Sequence, residues 1–74
     1  MERSTVGRFL WRASADEEFR NRTIENLGFA LAQEGFLLTD TEMSQLRGWW
    51  DEIQNLNARA AAERIQALAR AYRN

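Results

Sequence analysis

The sequence contains no histidine, no cysteine, no proline and no lysine. Each absence closes a route. Without cysteine no disulfide can staple the chain, and without cysteine and histidine the usual ligands of structural zinc are missing. Without histidine and lysine, a serine or threonine nucleophile has no base beside it, and general acid–base work has only carboxylates to draw on. No stretch approaches the roughly 18 apolar residues of a membrane span. The opening MERSTVGRFLWRASADEE also has no apolar run long enough for a signal peptide. We therefore expect a cytoplasmic protein with no membrane segment, no cofactor, no metal and no catalytic residue.

What is present is a chain of 74 residues with a formal net charge of −1. That length is one domain, over residues 1–74. A domain so small buries only about 60% of its unfolded surface, so its stability is marginal unless helices pack well or a partner adds surface. All ten basic residues are arginine, interleaved with eleven acidic ones. Such mixing describes a solvated surface and not a nucleic-acid footprint. A helix-turn-helix with its second helix at Thr39 would open on Thr39, Asp40, Thr41 and Glu42, repelling phosphate where a recognition helix attracts it. Arg59, Arg64, Arg70 and Arg73 do not form one tight stripe. No nucleic-acid partner is expected.

Helix signals run the length of the chain. Ser4 or Thr5 can cap a first helix with Val6, Phe9, Leu10 and Ala13 at i, i+3, i+4 and i+7. Ser14 with Glu17 fits a capping box, in which each side chain accepts from the other residue's backbone N–H. The next helix should turn Phe19, Thr23 and Ile24 inward, with Arg20 and Arg22 outward. Asn26 suits the cap of a third helix, Leu27 to Glu34, whose apolar positions are Leu27, Ala30 and Leu31. Gly35 stands where a left-handed terminus favours a residue without Cβ. Phe36, Leu37 and Leu38 form a short apolar connector. Thr39 and Glu42 write a second capping box, and Asp40 adds negative charge at the positive end of the helix dipole.

In the C-terminal half Leu46, Trp50, Ile53, Ala61, Ile65, Leu68 and Tyr72 fall on one helical stripe. One reading is a single helix from about Thr41 to Tyr72. The other, which we expect, is a break around Asp51 to Asn57, because Gly48, Asp51, Asn55 and Asn57 tolerate turns. The last helix is then Ala58 to Tyr72, with Glu63 four residues after Arg59 and with Arg70 and Arg73 in its final turn. The expected fold is all-α, a small bundle of four to five short helices with a longer C-terminal helix.

Asp16, Glu17 and Glu18 are neighbours in sequence and do not converge on one ion from a helix, so they read as first-turn partners of the dipole. Asp51 and Glu52 read the same way. The remaining signal is aromatic: Phe9, Trp11, Phe19, Phe29, Phe36, Trp49, Trp50 and Tyr72 are many for so small a domain. Trp49 and Trp50 lie about 100° apart on a helix, so both can be buried only if two surfaces cover them. Trp11 and Phe29 raise the same difficulty. The rings either complete a core or form an association surface.

FLWRASADEEFRNRTIENLGFALAQEGFLLTDTEMSQLRGWW resembles the leader regions of bacterial ribosomally made, post-translationally modified peptide precursors, those of the nitrile-hydratase-like and nitrogen-fixation-like clan. The resemblance rests on Arg12, Ala13, Asp16, Glu18, Phe19 and Arg20, then on Ala30, Leu31 and Gly35, then on Leu38, Thr39 and Glu42. ARAAAERIQALARAY also looks like the helix that ends small members, so the likeness covers about residues 8 to 72. No Gly-Gly or Ala-Gly pair is present, and no Ser, Thr or Cys follows Leu46. What the resemblance implies is therefore the recognition part of a leader, a non-catalytic helical module bound by a peptide-modifying or other biosynthetic enzyme. It implies Arg12, Phe19 and Arg20 as partner-binding residues, to which surface logic adds Trp49 and Trp50. The same pattern is similar to the small all-α subunit of LigAB-type extradiol dioxygenases, which implies a subunit capping a catalytic partner. A third expectation is a homodimer, with the C-terminal helix pairing across it.

Overall fold

Each helix of this chain starts at a side chain that accepts from the N–H groups a helix leaves unpaired at its beginning. The structure, a computed structural model, describes residues 4–72. It shows α1 (Thr5–Ala15), α2 (Glu17–Glu25), α3 (Leu27–Gln33), α4 (Asp40–Ile53) and α5 (Ala58–Ala71), with no strand among the described residues. The all-α bundle is thus what the chain forms. Ser4 Oγ accepts from Gly7 N–H at 3.0 Å, Asn26 Oδ1 from Phe29 at 3.1 Å and Asn57 Oδ1 from Ala60 at 2.8 Å. Thr39 and Glu42 form the expected capping box, at 2.9 and 3.2 Å.

The other expected box does not form. Ser14 lies inside α1, where its hydroxyl donates to the Trp11 carbonyl at 2.8 Å. The cap of α2 is Asp16, whose Oδ1 accepts from Phe19 N–H at 3.1 Å. Asp16 wins because it caps the second helix as a charged acceptor while pairing with Arg12 on the first. It serves both helices from one extended residue, at φ −116° and ψ 105°. Asn26 joins α2 to α3 in the same manner, at φ −157° and ψ 94°.

Gly35 closes α3 at φ 75°, with Phe36 N–H bonded to Leu31 O at 3.0 Å and Gly35 N–H to Ala32 O at 3.2 Å. Only glycine adopts that conformation without penalty from its Cβ. The C-terminal half breaks between Ile53 and Ala58, so the two-helix reading holds. At 14 residues each, α4 and α5 are equal, and the C-terminal helix is not the longer one. Tyr72 is the C-cap of α5 and not its last helical residue, Arg70 stands in the final turn, and Arg73 lies outside the described residues.

Helix α1 packs most extensively on α5, α2 on α1 and α3, and α4 on α5. Gly7 lets the start of α1 approach the end of α5, since a Cβ there would sit 3.1 Å from the Tyr72 carbonyl oxygen. Phe9 is the hub of the core. Its ring lies 5.6 Å from Phe19, 5.6 Å from Phe36 and 5.2 Å from Trp50, the first two edge to face. Leu10, Leu46, Ile53 and Ile65 are fully buried around it. Burying side chains of this size stabilises by about 1.5–3 kcal/mol each, which is how so short a chain holds a fold without staples.

Candidate docking surface

The motif that runs from Arg12 to Arg20 builds the corner between α1 and α2. Arg12 reaches Asp16 at 3.4 Å and Glu34 at 3.0 Å, and its guanidinium lies 4.9 Å from the centre of the Phe19 ring. That one side chain ties α1 to the head of α2 and to the foot of α3. Arg20 reaches back, its Nη1 donating to the carbonyls of Ala13 at 3.0 Å and Ser14 at 3.2 Å. Those carbonyls belong to the last turn of α1, where the dipole is negative and a cation is favoured. The Phe19 N–H holds the Asp16 carboxyl below its ordinary value of 3.8; desolvation opposes it, and the hydrogen bond and charge of Arg12 lower it further.

These contacts correct two expectations. Arg20 and Arg22 are half-buried and do not simply point outward: Arg22 bonds Gln33 at 3.4 Å and lies 6.0 Å from the Phe19 ring centre. Phe19 is fully buried, so it offers no surface to a partner in this fold. It fills the space under two guanidinium groups and between Phe9 and Phe36.

Trp50 is also a core residue, 1% exposed, and likewise presents nothing to a partner. Its indole N–H donates to Thr23 Oγ1 at 3.1 Å, and the Thr23 hydroxyl donates to the Arg20 carbonyl at 2.7 Å. A buried tryptophan needs such an acceptor, and α2 supplies it. Trp49 is half-buried, edge-on to Tyr72 at 5.4 Å, while Tyr72 Oη accepts from Gln45 at 3.0 Å. Two covering surfaces thus settle the adjacent pair: α1 and α2 for Trp50, the end of α5 for Trp49.

Among the described residues four large apolar side chains remain well exposed: Trp11, Phe29, Leu37 and Leu56, from 42% for Leu56 to 87% for Leu37. For Trp11 and Phe29 the aromatic pattern left core and surface both open, and the structure exposes them. Leu37 and Leu56 were not expected on the surface. Phe36, Leu37 and Leu38 are consecutive in an extended connector, where alternate side chains face opposite ways, and that alternation is the signal that would have turned Leu37 outward. Three open hollows adjoin these side chains. One, of about 300 Å³, is lined by Trp11, Ser14 and Ala15 of α1 and by Gln66, Ala69 and Arg70 of α5. A second, of about 960 Å³, runs past Arg8, Trp11 and Arg12 of α1 to Glu34, Phe36 and Glu42. The third, of about 280 Å³, lies between α3, the connector and the start of α4.

Among the described residues no three acidic side chains gather as a metal site would need, and no helix is long and apolar enough to cross a membrane. Fold and surface together define a small all-α bundle whose polar groups serve mainly as caps, corner ties and ion pairs, and which leaves Trp11, Phe29, Leu37 and Leu56 exposed. Comparison with protein-family models, with curated proteins and with solved structures finds no match to the chain.

Proposed function

We propose that this chain is a non-catalytic helical recognition module, a leader-like scaffold that docks on a peptide-modifying or other biosynthetic enzyme. The observation that carries the proposal is the exposure of Trp11, Phe29, Leu37 and Leu56 on a bundle whose core is already closed by Phe9, Phe19 and Trp50. Large apolar groups left in water are characteristic of an interface awaiting its other half. Arg12 supports the same reading. Its side chain is 40% exposed beside Trp11 even though it makes two ion pairs, so it can meet a partner without releasing the corner. Arg20 and Trp49 are half-exposed and contribute at the edge of such a contact, whereas Phe19 and Trp50 support it from beneath.

The test is a direct binding measurement between the purified chain and the biosynthetic enzymes encoded beside its gene. The proposal expects a one-to-one complex with Kd near or below about 1 μM, weakened at least ~10-fold by Trp11→Ala or Leu37→Ser in variants that melt like the parent. A chain that binds none of them, or that turns over a substrate unaided, refutes it.

A further inference from the structure

Of the three hollows, the one between α1 and α5 is alone in carrying unopposed charge. The hollow of about 960 Å³ holds Arg8 and Arg12 together with Glu34 and Glu42, and the one of about 280 Å³ has no charged side chain. The hollow of about 300 Å³ is lined by Trp11, Ser14, Ala15, Gln66, Ala69 and Arg70, so Arg70 is its single charged group. Neither the Arg70 guanidinium nor the Gln66 amide has an ion pair or hydrogen bond among the described residues. Trp11 is 53% exposed at the same place, and Ala15 and Ala69 leave the wall beside it without bulk. Of the acidic residues nearest in sequence, Asp16 pairs with Arg12 and Glu63 with Arg59, and neither they nor Glu17 and Glu18 line the hollow. The Ala13 and Ser14 carbonyls at the end of α1 would turn an anion away, but Arg20 Nη1 already caps them.

We propose that this hollow binds a small carboxylic acid with a flat apolar body. The carboxylate meets Arg70, whose forked donors match two carboxylate oxygens, and the Gln66 amide donates beside it. One cation and one amide suit a monoanion, whereas a phosphate dianion finds too few donors. The Ser14 hydroxyl adds none, because it already donates to the Trp11 carbonyl. The apolar body lies against the Trp11 ring, offset as aromatic pairs prefer, and over Ala15 and Ala69. A cavity of about 150 Å³ takes a benzene ring, so about 300 Å³ takes an acid of one or two rings. The lining also argues against a second copy. An isologous contact sets this patch on itself, with two Arg70 cations in an interface to which the lining brings no carboxylate. An anionic lipid surface draws on several free cations, but Arg59 and Arg64 of α5 are paired with Glu63 and Glu52. The proposal goes beyond the docking reading and does not depend on it.

The probes are naphthoate and the uncharged naphthalenemethanol, titrated into the isotope-labelled chain and followed by amide NMR shifts. A ligand of about a dozen heavy atoms reaches a Kd near or below about 1 mM, and naphthoate should bind at least ~5-fold tighter than the alcohol. The gap should narrow at about 500 mM salt, and the shifts should centre on Trp11, Ala15, Gln66 and Arg70. Arg70→Gln should bring naphthoate down to the affinity of the alcohol. Trp11→Ala should weaken both ligands ~5-fold or more, and Arg59→Gln should change neither. All three variants alter exposed side chains, so the fold survives. Equal affinity for acid and alcohol, indifference to Arg70→Gln, or shifts scattered over the surface overturn the proposal. So does a phenylalanine-ended peptide that outbinds naphthoate and loses its affinity on C-terminal amidation, which makes the ligand a chain terminus. A dimer, or binding to phosphatidylglycerol vesicles, that Trp11→Ala abolishes overturns it as well. No enzyme enters these titrations, so their outcome is separate from that of the docking test.

Discussion

Thr23→Val isolates the buried polar contact on which the Trp50 position depends. Thr23 and Trp50 are 0% and 1% exposed, and the indole N–H has the Thr23 hydroxyl as its acceptor at 3.1 Å. Valine keeps the shape of threonine and replaces the hydroxyl by a methyl. The exchange strands the indole N–H in the core, at a cost of about 1–3 kcal/mol, and the added methyl returns somewhat under 1 kcal/mol. A net loss of about 1–2 kcal/mol is therefore expected, against a total stability of about 4–11 kcal/mol for a chain of this length. Urea titration followed by far-ultraviolet circular dichroism reads that loss, and the thermal midpoint should fall by roughly 4–8 °C per kcal/mol. Trp50→Phe removes the donor together with the larger ring. In that background Thr23→Val should cost at least about 1 kcal/mol less than in the parent, because no N–H is left to strand. If Thr23→Val is neutral in the parent, or costs the same in both backgrounds, the hydrogen bond does not hold Trp50 in place and the reasoning is refuted.

Three further outcomes follow from the backbone and the caps. Gly48 lies within α4 with nothing within 4 Å of a Cβ built on it, so Gly48→Ala should raise stability in urea by about 0.5–1 kcal/mol through helix propensity. Gly35→Ala should lower it by about 1 kcal/mol, because the site is open but φ is 75°; the penalty is one of backbone conformation and Gly35→Asn should recover part of it. Asp16 has a depressed carboxyl, so its contribution is present above the ordinary carboxylate range and is lost as pH falls through the folded value. Asp16→Asn keeps an acceptor for Phe19 N–H but cannot titrate. In melts from about pH 5 to about pH 2, the parent should lose more stability than this variant.

The local parts of the fold were legible because they are written in neighbouring residues. Ser4, Asn26, Gly35 and the Thr39–Glu42 pair each act within a few positions of themselves, and all do what their types suggest. Ser14 misled because a serine three residues before a glutamate satisfies the pattern, while the winner, Asp16, drew on Arg12 in the preceding helix. The site was harder to read for the same reason. Spacing turned Phe19 inward and put Trp50 on the apolar stripe, and the structure buries both, Phe19 against Phe9 of α1 and Trp50 against Phe9 and Thr23. Neither presents the partner contact that the resemblance and the surface logic expected. Arg20 looked like a free surface charge, but it turns back onto the end of α1. The motif from Arg12 to Arg20 is thus accounted for as a structural corner, and Arg12, Arg20 and Trp49 are the expected contact residues that still reach water.

Binding of the chain to a neighbouring biosynthetic enzyme, measured calorimetrically for the parent and for Leu37→Ser, bears most directly on the claim that the open apolar surface is there to be covered by another protein. The account predicts a one-to-one complex for the parent and at least ~10-fold weaker binding for the variant, with both chains melting alike. A parent chain that remains alone at every concentration tried, or a complex that ignores the loss of Leu37, would contradict it.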